Sequence, residues 1–240
     1  MERDRDLAAR MILHMVIALI GAWLILVVRV DVPFMWYLGL GIGTPIIVLD
    51  LFRAYYVWPR VTSIRQAKQN RRHTFLRDEQ FLKNFERFYE PLLTRLYHPS
   101  EMGKISSGVW YFLGMIVSYG IASVIGRPWL AGFAILFQGI ADPIARTFGL
   151  RWPVLPIPEW GNKSVGGFLA AFFVSAGAGM CILAIISPAT FNISVLRLVF
   201  CIGVGAFFAA LAEANARRIG LDDNLIIPVV AVIGMIAALR

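Results

Sequence analysis

Four carboxylates sit at the edges of otherwise apolar segments: Asp142, Glu213, Asp222 and Asp223. A lysine and a serine, Lys163 and Ser164, stand among Gly161, Gly166 and Gly167 just before another apolar run. Carboxylate oxygens are the hard donors Mg²⁺ selects, and Mg²⁺ usually shares its shell with substrate phosphates. A cation and a hydroxyl at a helix N-terminus, with glycines allowing close backbone approach, make a seat for phosphate. The spacing is not that of a Walker A loop. The chemistry such a set could perform is phosphoryl or nucleotidyl transfer. Metal and cations neutralise charge, and a carboxylate takes the proton of the attacking hydroxyl. On this reading Asp142, Lys163, Glu213 and Asp223 are catalytic. Asp142, Glu213, Asp222 and Asp223 are metal ligands for Mg²⁺ or another divalent cation such as Ca²⁺.

The elements that must position these groups are membrane helices. The chain has 240 residues, 58% hydrophobic and 16% charged, against about 25% charged in a soluble domain. Its mean hydropathy is +0.69. Apolar blocks of about twenty residues match a helix crossing ~30 Å of hydrocarbon. The expected fold is all-α: a polytopic bundle of about seven transmembrane helices, near 11–29, 34–52, 107–126, 129–145, 164–186, 195–213 and 224–239. It forms a single membrane domain over 1–240, with a basic loop, 53–104, inserted between spans two and three. The first apolar block is too long for a cleavable signal core, so none is expected. Gly39, Gly41 and Gly43, with Thr44-Pro45, predict close packing and a kink in span two. Cys181 and Cys201 fall inside apolar segments and read as buried thiols.

Placing the N-terminus in the cytoplasm puts nineteen of the twenty-three Lys and Arg residues inside, as the positive-inside rule requires. The net charge of +8 then reflects topology, and no nucleic-acid-binding module is visible. Within the loop, Phe81, Phe85, Phe88, Leu92 and Leu96 recur at helical spacing, the pattern of an amphipathic helix on anionic headgroups. The polar residues share one membrane edge under this topology. Arg10 and His14 open span one, and Asp50 and Arg53 close span two. Glu101 and Lys104 precede span three, and Asp142 and Arg146 close span four. Lys163, Glu213 and Asp222-Asp223-Asn224 mark the last three spans. Ionisable groups at membrane depth usually face a bundle interior or a watery cavity. The set therefore reads as a site facing the cytoplasm.

Each member also has a plainer role. Asp142 before Pro143 fits an N-cap with proline at N1, which would break span four. Asp222 fits an N-cap of span seven. Glu213 and Arg217, or Arg10 and His14, fit ordinary pairs four apart on a helix. Arg65, Lys68, Arg71 and Arg72 fit a headgroup patch.

Several stretches resemble the superfamily of CTP-dependent lipid kinases, which includes dolichol, phytol and diacylglycerol kinases; phosphatidate cytidylyltransferases carry a related version. "ADPIARTFGLRW…NKSVGGFLAAF" resembles its D-x-x-A-x-x-x-G…K-[ST]-x-x-G segment. "AARMILHMVIALIG" is similar to its opening, with Met11 where lysine is usual. "LTRLYHPSEMGKISSGVWYFLG" is similar to the stretch before the third span, and "LAEANARRIGLDDNLIIPV" to the closing D-D-N segment. The matches run in order from about residue 7 to 230 and leave out 54–93. Leu150 follows Gly149 where a basic residue is frequent, and Asn162 stands where a second lysine is common. The resemblance implies a kinase that moves phosphate from CTP to a membrane lipid hydroxyl: a polyprenol or dolichol, a phytol-like alcohol or diacylglycerol. It implies that Lys163, Ser164, Gly167, Asn224, Arg146, Lys104, Glu101, Arg10 and His14 serve the nucleotide. The implied partners are a nucleoside triphosphate, a lipid alcohol and the membrane, a bacterial or archaeal cytoplasmic membrane or that of the endoplasmic reticulum, with room for a homodimer.

Two other functions compete. A cytidylyltransferase would use the same groups to make a CDP-lipid. A transporter would place its charges near the midplane, between inverted repeats, and neither is visible. The proline-rich insert "RWPVLPIPEWGN" is expected to form a lid or a base pocket, so that deleting 153–158 raises the KM for nucleotide.

Overall fold

In the computed structural model, residues 2–70, 76–91, 93, 97, 101–157 and 163–240 are described; for 2–11, 76, 77 and 217 this covers the backbone alone. The expected positions Leu92, Leu96, Arg71 and Arg72, and the side chains of Arg10 and Arg217, lie outside that description. The described chain is helical apart from one two-stranded ladder. Among the described residues, four helices are long and apolar enough to cross a membrane: Val32–Gln69, Ser107–Val124, Val165–Ile185 and Val195–Ala216. Ile12–Val28 and Asp223–Ala238 are shorter apolar helices. Two compact units are present, Met1–Gly39 with Tyr111–Arg240, and Leu40–Trp110.

The first unit is a helical bundle. It contains α1 (Glu2–Trp23), which ends in a π-helical turn at Leu24–Val28, and the start of α2 (Val32–Phe52). Then come α5 (Ser107–Val124) from Tyr111 onward, α6 (Trp129–Arg151), α7 (Val165–Ile185), α8 (Val195–Ile219) and α9 (Asp223–Ala238). Strands β1 (Pro156–Ile157) and β2 (Lys163–Ser164) lie between α6 and α7. At the centre is α6, in which every residue from Leu130 to Gly139 is buried. Burial on all sides is what a helix apolar all round achieves in a core. Small residues bring its neighbours close. A Cβ on Gly139 would stand 2.3 Å from the Cβ of Ala18 in α1.

Helix α6 is continuous over 23 residues with Pro143 in its interior. Asp142 therefore neither caps a helix nor breaks the span; the packing of the face that buries Ala141, Pro143 and Ala145 outweighs the one ladder bond the proline removes. The ends of α8 and α9 follow their local sequence. Gly220 adopts φ +74°, and Leu221 N donates to Ala216 O at 3.3 Å. This is the Schellman geometry that glycine permits. Two residues later Asp222 caps α9, its side chain accepting from Asn224 N. So short a link makes α8 and α9 antiparallel neighbours. Cys201 is buried, whereas Cys181 is exposed rather than buried, on the outward face of an apolar helix.

The second unit begins in α2, which runs through a π-helical turn at Arg53–Val57 into α3 (Trp58–Gln69). It also holds α4 (Leu76–Asn84) and a π-helical turn at Phe85–Tyr89. Val61, Ile64, Leu82 and Phe85 form its own small core, with Phe81 packed against it. The expected headgroup stripe is thus divided: Phe81 and Phe85 turn inward between helices, and Phe88 remains exposed. Arg65 is likewise engaged, pairing with Glu86 and Glu90. Gly41 has open space where a side chain would stand, so it serves no close contact, and α2 continues through Pro45.

Asp50 and Arg53 form a buried clamp in this unit. All five guanidinium N–H groups are used. Nε and Nη2 donate to Asp50 Oδ1 at 3.0 and 2.8 Å. Nη1 donates to the carbonyls of Glu101 and Met102, and Nη2 to that of Lys104. Asp50 Oδ2 accepts from Ser106 N at 2.9 Å, and the Tyr97 ring lies 4.0 Å from the guanidinium carbon. The pair thereby fixes the 101–106 turn that leads into α5.

Candidate active site

One end of the first unit gathers four elements. The C-terminal part of α6 carries Asp142, and β2 carries Lys163. The penultimate turn of α8 carries Glu213, and the start of α9 carries Asp222 and Asp223. Lys163 Nζ donates to Glu213 Oε1 in an ion pair. The Glu213 side chain is 2% exposed and that of Lys163 is 21%, so solvent reaches the pair from the lysine side. Glu213 also feels the charges of Asp142 and Asp223, and Asp222 those of Asp223 and Asp142. Residues spread over eighty positions thus share one electrostatic neighbourhood, with one cation and four acids among these five side chains. Burial, reinforced by repulsion from Asp223, pushes the Asp222 carboxyl up to about 6.

Asn224 organises the acidic turn. Its backbone N donates to Asp222 Oδ1 and Asp223 Oδ1, each at 3.0 Å. Its Nδ2 reaches the same oxygens at 3.0 and 3.4 Å. Both carboxylates are held through one oxygen, and their second oxygens lie outside these bonds. Among the described residues, no three or more His, Cys, Asp or Glu side chains are arranged to hold a metal ion. The four acids expected as ligands are therefore neighbours in charge without forming a ready cage.

The expected phosphate seat at the start of α7 is filled by the chain itself. Val165 N donates to Leu155 O at 3.1 Å and Gly166 N to Val154 O at 3.2 Å. Gly167 N donates to Ser164 Oγ at 3.1 Å. The helix's first three N–H groups are thus satisfied internally. Ser164 is a buried N-cap. Gly167 is a contact point, since a Cβ there would stand 2.8 Å from Ala145 O. Of the expected pair, only the side chain of Lys163 offers donors outward.

Over its described part the proline-rich insert forms a strand against the segment that carries Lys163. Pro156 and Ile157 pair antiparallel with Ser164 and Lys163. With the bonds from Val165 and Gly166, this ladder holds the backbone of Lys163. Sequence reading missed this pairing, although an extended, proline-bearing stretch beside a nominated lysine was a usable signal. Residues 158–162 of the insert lie outside the description.

The remaining expected residues are placed as follows. His14 stacks on Tyr111 with ring centroids 4.6 Å apart, and its carbonyl accepts from Tyr111 Oη at 2.7 Å. This joins α1 to α5. Arg146 is exposed. Glu101 and Lys104 belong to the second unit. There Glu101 Oε1 accepts from Ser107 N at 3.4 Å, and Lys104 is exposed.

Compared with known protein families, with curated proteins and with solved structures, the chain matches none.

Proposed function

We propose that this chain is a membrane-embedded phosphotransferase that moves the terminal phosphoryl group of a nucleoside triphosphate, CTP by resemblance, to the hydroxyl of a membrane lipid. The observation that carries the reading is the ion pair of Lys163 with the buried Glu213, with Asp142 and Asp223 in electrostatic reach of Glu213 and Asp222 in reach of those two. A structural ion pair needs one acid. A lysine with a solvent-facing side, set among four acids, is instead suited to a ligand that brings both phosphate and divalent cations. The chemistry of the donor set fits Mg²⁺, which is commonly bound by one or two carboxylates plus substrate phosphates rather than by an all-protein cage. Asp142, Asp222 and Asp223 would hold it, and when bound it would neutralise charge on the phosphates.

The chain's own residues do the rest. An ammonium has three N–H donors. Glu213 occupies one, which leaves two for phosphate oxygens. Asp142 accepts the proton of the lipid hydroxyl as its oxygen bonds to phosphorus and the bond to the nucleoside diphosphate breaks. Seven apolar helices, with the N-terminus and this polar end in the cytoplasm, agree with nineteen of twenty-three Lys and Arg residues falling inside. The lipid then enters from the bilayer and the nucleotide from the cytoplasm.

The test is product analysis. The purified chain is incubated with labelled CTP or ATP, Mg²⁺, and a panel of lipid alcohols and lipid phosphates. A labelled lipid phosphate with release of the nucleoside diphosphate supports the proposal. Pyrophosphate and a CDP-lipid would make it a cytidylyltransferase, and no labelled lipid under any condition would refute both.

A further inference from the structure

Helix α9 carries a proline, Pro228, in its interior. Proline has no N–H, so the helical bond that residue 228 would return to the carbonyl of Asn224, four positions back, cannot form. That carbonyl is boxed in, because a Cβ on Gly114 of α5 would stand 2.3 Å from it. A buried carbonyl short of a donor is costly where water is excluded.

The donor comes from the central helix. Gln138 of α6 is 2% exposed. Its Nε2 donates to Asn224 O at 2.5 Å and to Tyr111 O at 3.3 Å. Its Oε1 has no hydrogen-bond partner among the described residues. The unpaired oxygen shows which demand sets the amide: reversing it would press Oε1 against two carbonyl oxygens. Asn224 in turn holds one oxygen of each of Asp222 and Asp223 through its own N–H groups.

We propose that Gln138 is a positioning residue, supplying to the Asn224 carbonyl the hydrogen bond that Pro228 cannot and thereby fixing the Asp222–Asn224 turn at the transfer site. The positioning half of this statement rests on the reading of that cluster as a transfer site; the hydrogen-bond half does not. A glutamine amide brings a neutral donor to this point without placing a charge in the apolar core.

The test uses the intact chain in lipid nanodiscs as parent, Gln138→Met, Pro228→Ala and the double variant. Methionine keeps the volume and removes the donor; alanine at 228 restores a backbone N–H to Asn224 O. Two quantities are read: amide exchange over 222–226, and phosphate transfer from labelled CTP to the lipid acceptor. Gln138→Met is expected to speed exchange about tenfold, the equilibrium factor of one net hydrogen bond, and to lower kcat by a similar factor with the KM for lipid unchanged. Pro228→Ala in that background is expected to restore both to within about threefold of parent. A merely space-filling glutamine would show no such rescue. Unchanged exchange in Gln138→Met, or no recovery in the double variant, overturns the proposal. If Gln138→Met does not fold, recovery of folded protein in the double variant is the same rescue, and its failure is the same refutation. If protection is lost and rescued as expected but the parent transfers nothing, the transferase reading falls and the hydrogen-bond role of Gln138 stands.

Discussion

Replacing Lys163 with methionine removes the only ammonium bonded to Glu213 among the described residues and keeps most of the side-chain volume. The carboxylate left behind is 2% exposed and faces the charges of Asp142 and Asp223. Stranding one member of a buried pair costs about 3–5 kcal/mol. Glu213→Gln is the milder change. Lys163 is 21% exposed, so its flexible stem can carry the ammonium to water, and the loss is on the order of 1 kcal/mol. The double variant Lys163→Met with Glu213→Gln leaves no buried charge in the pair and is expected within about 1 kcal/mol of Glu213→Gln alone. With the double variant about equal to Glu213→Gln, the pair couples by about 3–5 kcal/mol. The assay is thermal unfolding of the four proteins in the same detergent, read as a double-mutant cycle. For a chain of 240 residues the Lys163→Met loss corresponds to a fall in Tm of about 10 °C. The double variant recovers stability yet stays inactive, because the donors for phosphate are gone. If Lys163→Met is no more destabilising than Glu213→Gln, Glu213 is not held by Lys163 and the site is wrongly drawn.

Further outcomes follow from the same geometry. Asp142→Asn is expected to abolish lipid phosphorylation with Tm nearly unchanged; near-parental turnover removes Asp142 from the reaction. Asp222 has its carboxyl raised from 3.8 to about 6, so the folded state binds its proton more tightly than the unfolded chain. Its contribution to stability is greatest below pH 4 and is lost as pH rises through 6. Asp222→Asn, which keeps a capping oxygen, should flatten both the stability profile between pH 4 and 6 and an activity rise centred near pH 6, as unfolding and kcat/KM measured against pH will show. Arg53→Met leaves Asp50 buried without its partner and frees three carbonyls of the 101–104 turn; a loss of about 3–5 kcal/mol is expected in denaturant unfolding. Deleting 153–157 removes the strand paired with Lys163 and should cut kcat strongly, whereas a pure rise in the KM for nucleotide would favour the lid.

Residue types and their order determined much of this protein. Blocks of about twenty apolar residues can satisfy their backbone in lipid only as helices, so the all-α architecture was legible from hydropathy alone. Gly220 and Asp222 announced where α8 stops and α9 begins, because a glycine in the left-handed region and a capping carboxylate act over a few residues. Asp142, Lys163, Glu213, Asp222 and Asp223 stood out as a set for a related reason, that charge is costly in hydrocarbon; of that set the structure pairs Lys163 with Glu213 and ties Asp222 and Asp223 to Asn224.

Partnership was decided elsewhere. Local rules made Asp142-Pro143 a helix start, but the packing of the Ala141, Pro143 and Ala145 face carried α6 straight through it. Local rules also made Lys163-Ser164 an open phosphate seat. The carbonyls of Val154 and Leu155 fill that seat because the insert folds back as a strand, and backbone pairing between distant segments leaves no periodic mark on side chains. Helical spacing gave Phe81 and Phe85 one face and could not say whether lipid or α3 would cover it. Lys163 joins Glu213, fifty residues away, and Gln138 bonds the Asn224 carbonyl that Pro228, ninety residues on, leaves without its helical donor. An apolar sequence can state which groups must find a partner. Only the tertiary fold, through distances set by small residues such as Gly114 and Gly139, decides which partner comes within reach.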